Sequence, residues 1–203
     1  MAHDLKSPLM ILSGMAENLK ENVHTEKREY YAEEMLKNIA DMNRMIEQSL
    51  GFSKLSQTER LGKKTEIDMR AQTDALLRKY KELAEAQGQR ISVIGEGQMR
   101  GNEAMLRQMI DNLLQNAILH GEEDGQIEIN IGNGTYQIQN TYTGTLTTET
   151  ARKLLNPYVK EENRKRTGGH GLGLSIVHEI VKLHGGKLHL KVEEGMFQVE
   201  IKI

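Results

Sequence analysis

The sequence contains no cysteine among its 203 residues. This absence excludes disulfide bonds and cysteine-ligated metal centres, and it fits a reducing, cytosolic setting. None of the seven histidines stands in a His-x-x-x-His or His-Glu-x-x-His pattern, so the common zinc-ligand spacings are missing as well. The chemistry of this chain must therefore be carried by other residue types.

Long apolar runs and an excess of one charge are also missing. No apolar stretch approaches the roughly 18 residues that a membrane span needs, and no signal peptide opens the chain. The net charge is −2, which provides no overall basic field for nucleic acid. We therefore expect no nucleic-acid partner, and contact with a membrane only through segments upstream of Met1. Hydrophobic residues (37%) and charged residues (28%) occur in the proportions of a folded chain.

Residues 1–56 carry two apolar stripes of helical period, separated by a polar break at 22–25. The first stripe consists of Leu5, Leu9, Leu12, Ala16 and Leu19, and the second of Met35, Ile39, Met42, Ile46 and Leu50. Two amphipathic helices joined by a short polar loop form a helical hairpin, which buries only one side of each helix. We therefore expect a homodimer in which two hairpins form a four-helix bundle.

The polar stretch 57–66 predicts a linker, and residues 67–203 have a mixed α/β pattern. Asn102 is a suitable N-cap for one helix, and Asn133-Gly134 between two alternating runs predicts a β-hairpin. Helices are predicted at 68–87, 103–119, 147–155 and 172–184, and strands at 91–94, 127–131, 135–139, 187–192 and 196–202. The fold class is therefore α+β: a helical hairpin followed by an α/β sandwich with helices on one face of a mixed sheet.

The segment HDLKSPL places a histidine and a carboxylate side by side, just before a proline. Pro8 bends the helix beside His3, because it lacks an N–H and clashes with the carbonyl of Asp4. A neutral imidazole is a good nucleophile, and an adjacent carboxylate can hold its tautomer and accept a proton. Ser7 lies one turn from His3 on the same helix face. A solvated His-Asp pair near a frayed terminus explains the segment equally well.

The segment DNLLQNA places Asn112 and Asn116 one turn apart on the predicted 103–119 helix, away from its apolar stripe. Paired amides there are suited to a hydrated Mg²⁺ and triphosphate oxygens. A helix with two exposed amides is the simpler interpretation of this segment alone.

Glycines cluster at 168–173, immediately before an apolar helix. Such glycines allow backbone N–H groups to approach a phosphate, to which the helix dipole adds. The basic residues 164–166 precede them. A solvated glycine-rich loop is again the simpler alternative.

Together these segments resemble the sensor histidine kinases of two-component systems. HDLKSPL is similar to that family's H-box, DNLLQNA to its N-box, GHGLGL to its second glycine box, and Leu155-Asn156-Pro157-Tyr158 to its F-box. The four motifs stand in the family's order and span essentially the whole chain. The resemblance implies a dimerisation and phosphotransfer hairpin followed by a Bergerat (GHKL) type ATP-binding domain, with ATP and Mg²⁺ as cofactors.

The resemblance also implies roles for individual residues. His3 would be the phosphoacceptor, Asp4 its acid/base partner, and Ser7 a residue linked to dephosphorylation of the regulator. Asn116 would bind Mg²⁺. The other residues of the implied nucleotide site are Asn112, His120, Asn140, Gly144, Lys160, Gly169, Gly171, Leu172 and Gly173.

Several positions depart from the family pattern, among them a mild change at Leu155 and Tyr158, which replace the usual phenylalanines. Asn140 stands where relatives carry an aspartate that accepts a hydrogen bond from adenine, so it keeps an acceptor but loses the charge. Because charge-assisted bonds are roughly twice as strong, we expect retained but weaker nucleotide binding. Tyr142 replaces a glycine and is expected to narrow the pocket rim or stack on the base. Leu119 removes a basic contact to phosphate.

The resemblance implies ATP-dependent autophosphorylation on histidine and phosphotransfer to an aspartate of a response-regulator receiver domain. It also implies the cytoplasmic portion of a membrane-anchored sensor. Two alternatives remain open: a nucleotide-weakened core acting mainly as a regulator phosphatase or scaffold, and a GHKL-type ATPase without phosphotransfer.

Overall fold

The structure, a computed structural model, describes residues 2–58, 61–161 and 171–203, and of residues 2–5 only the backbone. The chain divides into two compact units, Met1–Gly51 and Phe52–Ile203.

The first unit is a helical hairpin. Helix α1 spans Ala2–Lys20 and includes Pro8, and helix α2 begins at Arg28 and ends at Ser56. Between them Asn22 and His24 adopt left-handed backbone conformations (φ 54° and 52°), and a 3-10 turn precedes α2. The guanidinium of Arg28 donates a hydrogen bond to Oδ1 of Asn22 over 2.9 Å and so fixes the loop. The predicted hairpin with a break near residues 22–25 is confirmed.

Several large apolar side chains of the hairpin are exposed in a single chain. Leu36 is 69% exposed and Leu50 is 59% exposed, and the others on the two helices are Leu9, Met10, Ile11, Tyr30, Ile39 and Ile46. A group of exposed apolar side chains on one pair of helices is typical of a surface that packs against another protein.

The second unit is built on a five-stranded mixed sheet. Its helices are α3 (Met69–Ala86), α4 (Glu103–His120), α5 (Thr148–Ala151, followed by a 3-10 turn) and α6 (Gly173–Leu183). Its strands are β1 (Thr65–Asp68), β2 (Arg90–Gly95), β3 (Gln98–Gly101), β4 (Gln126–Gly132), β5 (Thr135–Thr141), β6 (Lys187–Glu193) and β7 (Met196–Lys202). The sheet order is β2-β4-β5-β7-β6, with β2 parallel to β4 and all other pairs antiparallel. β1 and β3 form a separate antiparallel pair.

One face of the sheet carries the core. Along β4 every second side chain is buried, and β5 and β7 show the same alternation. Helices α4 and α6 pack against each other over this core, and α3 packs against α4. Central side chains such as Ile110, Ile129 and Tyr136 are fully buried. The predicted sandwich with helices on one face of a mixed sheet is confirmed.

Local chemistry determines where the helices begin. The carboxylate of Asp68 accepts a hydrogen bond from the N–H of Ala71, and Oδ1 of Asn102 accepts one from the N–H of Met105. These N-caps pair donors that would otherwise lack a partner at the starts of α3 and α4. Gly134 has φ 68° in the β4–β5 turn, as the Asn-Gly pair predicts.

The structure differs from the sequence-based expectation at three places. β1 begins at Thr65, inside the stretch predicted as linker, and β3 was not predicted. Each has four residues and at most two buried side chains, which is too short for a recognisable alternation. The predicted 147–155 helix is divided into α5 and a 3-10 turn. Within the described residues, no helix combines the length and apolar character required to cross a membrane.

Candidate functional site

Asn112 and Asn116 lie one turn apart on α4, where that helix meets the start of α6. Asn112 is buried, and its Nδ2 donates a hydrogen bond to the carbonyl of Gln108 over 2.8 Å. Its Oδ1 faces Gly173, where an added Cβ would lie 3.5 Å away. Asn116 is half-buried on the following turn, and His120 is the last residue of the helix. The structure therefore brings Asn112 and Gly173 together.

Helix α6 begins without a capping side chain from the described residues. Its N-cap position is the buried Leu172, and the hydroxyl of Ser175 donates back to the Leu172 carbonyl over 2.9 Å. No described side chain therefore pairs with the first-turn N–H groups, and the positive end of the helix dipole favours an anion at this position.

Gly171 connects the start of α6 to the segment around Tyr158. Its carbonyl accepts a hydrogen bond from the N–H of Tyr158 over 2.8 Å, and both residues have left-handed backbones (φ 69° and 65°). A Cβ at position 171 would lie 2.8 Å from the carbonyl oxygen of Val159. Glycine is therefore required here by backbone geometry. Gly169 and the basic residues 164–166 lie outside the described residues.

Asn140 lies at the end of β5 between Ile127 of β4 and Phe197 of β7. Only 3% of its surface is exposed, and its Nδ2 donates a hydrogen bond to the carbonyl of Thr141 over 3.0 Å. The amide is thus held by its own strand.

Tyr142 is a core residue, so the expectation that it stacks on a base is wrong, whereas the expectation that it narrows the pocket rim stays a prediction. It is 3% exposed, and its ring packs against Phe197 with 6.1 Å between ring centroids. Its hydroxyl accepts a hydrogen bond from the N–H of Leu146 over 2.9 Å and donates one to Glu161. The ring therefore has no free face for a ligand.

The exposed Gly144 lies against the ring of Tyr142 and the carboxylate of Glu161. A Cβ at this position would collide with the ring end of Tyr142 and lie 2.7 Å from Oε1 of Glu161. Glu122 reaches the same loop, because its Oε1 accepts a hydrogen bond from the N–H of Thr143 over 3.2 Å. Lys160 is exposed beside Glu161.

His3, Asp4 and Ser7 belong to the first unit, whereas all the other candidate residues belong to the second. The backbone of all three lies in α1, and the side chain of Ser7 is exposed. The side chains of His3 and Asp4 are not among the parts of the chain that the structure describes.

Two residues of this region escaped the sequence analysis. Glu161 follows the F-box-like segment. The only sequence signal for it is Tyr142, a tyrosine at a position where the family pattern has glycine, because its hydroxyl needs a hydrogen-bond partner. His184 contacts the residue that caps α4, and its spacing of four from Ile180 and eight from Ile176 marks it as part of the buried face of α6.

The donor set of α4 and α6 suits a magnesium-bound triphosphate. Amide oxygens are ligands that Mg²⁺ accepts while it keeps waters and phosphate oxygens. Within the described part of the chain, no group of three His, Cys, Asp or Glu side chains could hold a metal alone. A metal at Asn112 and Asn116 would therefore depend on oxygens of the nucleotide.

Two family models match the chain. The model described as histidine kinase-, DNA gyrase B- and HSP90-like ATPase matches residues 101–203. The model of the His kinase A (phospho-acceptor) domain matches residues 1–58.

Curated relatives include the probable sensor protein PcoS of Escherichia coli, 29% identical over 99% of this chain and 45% of its own length. The phosphate regulon sensor protein PhoR of Pseudomonas aeruginosa is 26% identical over 96% of this chain and 46% of its own length. The chain thus spans less than half the length of these relatives.

Solved structures share the fold. The histidine kinase AdeS of Acinetobacter baumannii has a TM-score of 0.80 at 19% identity, over 99% of this chain and 96% of that chain. The histidine kinase ThkA in complex with the response regulator protein TrrA has a TM-score of 0.75 at 20% identity, over 99% and 59%. An ATP-binding domain of the gyrase and HSP90 type preceded by a phosphoacceptor domain thus places this chain among the sensor histidine kinases of two-component systems.

Proposed function

We propose that this chain transfers the terminal phosphoryl group of ATP to His3, and that the group then passes to an aspartate of a response-regulator receiver domain. The observation that carries this proposal is the meeting of Asn112 with Gly173 at the start of α6, where no described side chain caps the helix. The amide oxygen of Asn112 would there meet the phosphates and their metal.

The nucleotide would lie between α4 and α6. First-turn N–H groups of α6, with Gly169, Gly171, Leu172 and Gly173, would hold phosphate oxygens. The amide of Asn140 would accept a hydrogen bond from the adenine. His120, Gly144 and Lys160 would complete the border of the site.

Asn116, with Asn112 beside it, would hold Mg²⁺. When bound, this ion would supply neutralisation of the phosphate charge. The contribution of the chain itself is positioning, which together with charge neutralisation accounts for most of catalysis in phosphoryl transfer.

On the hairpin, a ring nitrogen of neutral His3 would form the new bond to phosphorus while the bond to the oxygen of the leaving ADP breaks. The imidazole then releases its other ring proton, and Asp4 would hold the tautomer and accept that proton. Ser7 would act later, in removal of the phosphoryl group from the regulator.

Two copies of the chain would form the active assembly. The exposed apolar side chains of α1 and α2 would be covered in a four-helix bundle of two hairpins, with residues 1–56 as the phosphotransfer domain, 57–66 as linker and 67–203 as the ATP-binding domain. Segments upstream would provide the membrane anchor and the sensor.

Incubation with γ-labelled ATP and Mg²⁺ tests the proposal. Label should appear on the protein, resist alkali, be released by acid and vanish in His3→Gln, while His24→Gln in the exposed loop keeps it. Label that survives His3→Gln would refute His3 as the acceptor. Steady phosphate release without labelled protein would support the ATPase alternative, and no calorimetric heat at millimolar ATP would support the scaffold alternative.

A further inference from the structure

Besides the helical bond from the N–H of Leu106 to its carbonyl, Asn102 makes hydrogen bonds to three different segments of the second unit. Its Oδ1 caps α4 by accepting from the N–H of Met105 over 3.1 Å. Its Nδ2 donates to the carbonyl of Leu61 over 2.9 Å, and its backbone N–H donates to Nε2 of His184 over 3.1 Å. Capping explains only the first of these bonds, so the other two require a separate reason.

His184 fixes the backbone from which the Asn102 side chain extends. The imidazole is buried at the end of α6, and its Nδ1 lies 2.7 Å from the carbonyl oxygen of Ile180. Because the carbonyl requires a donor and Asn102 requires an acceptor, the ring is neutral with its proton on Nδ1. A Cβ at Gly101 would lie 2.6 Å from Nε2, so glycine at that position allows the close approach.

Leu61 lies in the connection between the end of α2 and the first strand of the second unit. Phe52 and Leu55, in the last turns of α2, pack against the core of the second unit. Four residues, 57–60, separate Ser56 from Leu61, whereas eight residues, 57–64, separate Ser56 from Thr65. The bond from Asn102 to Leu61 therefore halves the length of chain between two fixed points.

Shortening this connection favours the packing of the end of α2 against the core of the second unit. The entropy of loop closure scales with about three halves of the logarithm of loop length, so halving the loop changes the equilibrium constant of closing by about three-fold.

We propose that Asn102 is a positioning residue for phosphoryl transfer, acting as a clasp that fixes where the chain from the phosphoacceptor hairpin joins the ATP-binding unit. His184 orients the clasp, and Leu61 is the residue it holds. The inference rests on the proposed function, because its kinetic consequence is the rate at which His3 is phosphorylated.

Asn102→Asp removes the hydrogen bond to Leu61 but keeps the cap of α4, so it tests the two roles of Asn102 separately. A carboxylate caps a helix as well as an amide does, but it cannot donate to Leu61 and is repelled by that carbonyl. The rate of His3 labelling at saturating ATP should fall, by at most about three-fold, with the Kd for ATP unchanged. Asp68→Asn, an exchange of the same pair of residue types at the cap of α3, should change neither value.

Hydrogen exchange provides a readout independent of activity. Amides of residues 51–58 and 61–64 should exchange faster in Asn102→Asp than in the wild type, by at most about three-fold. Unchanged exchange would overturn the clasp, as would an unchanged or faster labelling rate. A loss of ATP affinity that matches the loss of rate would assign Asn102 to α4 alone. If the wild type gains no label, the proposed function fails and the exchange measurement still decides the clasp.

Discussion

The hydroxyl of Tyr142 donates a hydrogen bond to Oε1 of Glu161 and accepts one from the backbone N–H of Leu146. The phenol therefore joins three segments: the end of β5, the loop after it and the stretch beyond Lys160. A residue that stands where relatives have glycine is thus a buried bridge beside the candidate nucleotide site.

Tyr142→Phe should destabilise the second unit. The substitution keeps the ring against Phe197 but removes the acceptor of the part-buried Leu146 N–H, and loss of such a hydrogen bond costs about 0.5–1.5 kcal/mol. The free energy of unfolding, measured with urea, should fall by this amount. Tyr30→Phe, at a side chain that is 55% exposed, should change it little. Equal stability of the wild type and Tyr142→Phe would show that the hydroxyl bonds contribute nothing.

Asn140→Asp should lower stability without ligand and increase the response to ATP. The Asn140 amide donates to the Thr141 carbonyl, whereas a buried carboxylate at that position would repel it at a cost of about 1–3 kcal/mol. The adenine amino group would then make a charge-assisted bond, roughly twice as strong as a neutral one. Melting curves should show a lower Tm without nucleotide and a larger ATP-induced rise than in the wild type.

Asn140→Ala provides the control for this prediction. It removes both the donor and the acceptor, so its Tm should also fall, but ATP should raise that Tm less than in the wild type. An ATP-induced rise in Asn140→Asp no larger than in the wild type would contradict a contact between this side chain and the nucleotide.

Substitutions of the two described glycines at the start of α6 should distinguish an effect on stability from an effect on ATP binding. Gly171 has φ 69° and no room for a Cβ beside Val159, so Gly171→Ala should destabilise the unit by about 1–3 kcal/mol. At Gly173 a Cβ meets Asn112 at an ordinary 3.5 Å, so Gly173→Ala should unfold like the wild type. Its methyl group would stand where phosphate approaches, and calorimetry should show weaker ATP binding. Wild-type affinity in Gly173→Ala would place the phosphates elsewhere.

The features that the sequence predicted correctly are determined by nearby residues. The cap at Asn102 and the turn at Gly134 depend on residues within three positions, and the helix faces depend on a period of 3.6 residues. The bond from Asn102 to Leu61 spans 41 residues and that from Tyr142 to Glu161 spans 19, so no local pattern announces them. Tyr142 shows the consequence: a motif indicates that a position matters, but packing decides whether its side chain faces ligand or core.

His184 should make the stability of the second unit depend on pH. Burial lowers the pKa of its imidazole below the ordinary 6.5; the Ile180 carbonyl opposes this shift, and the charge of Lys64 adds to it. Below pH 6.5 the unfolded chain therefore binds a proton that the folded chain resists, so stability is full above about pH 7 and falls as the pH drops. Urea unfolding at pH 8 and pH 5.5 should show a smaller decline in His184→Gln than in the wild type. His189→Gln, at an exposed histidine of β6, should retain the wild-type decline, and equal declines in all three proteins would assign the pH dependence to other groups.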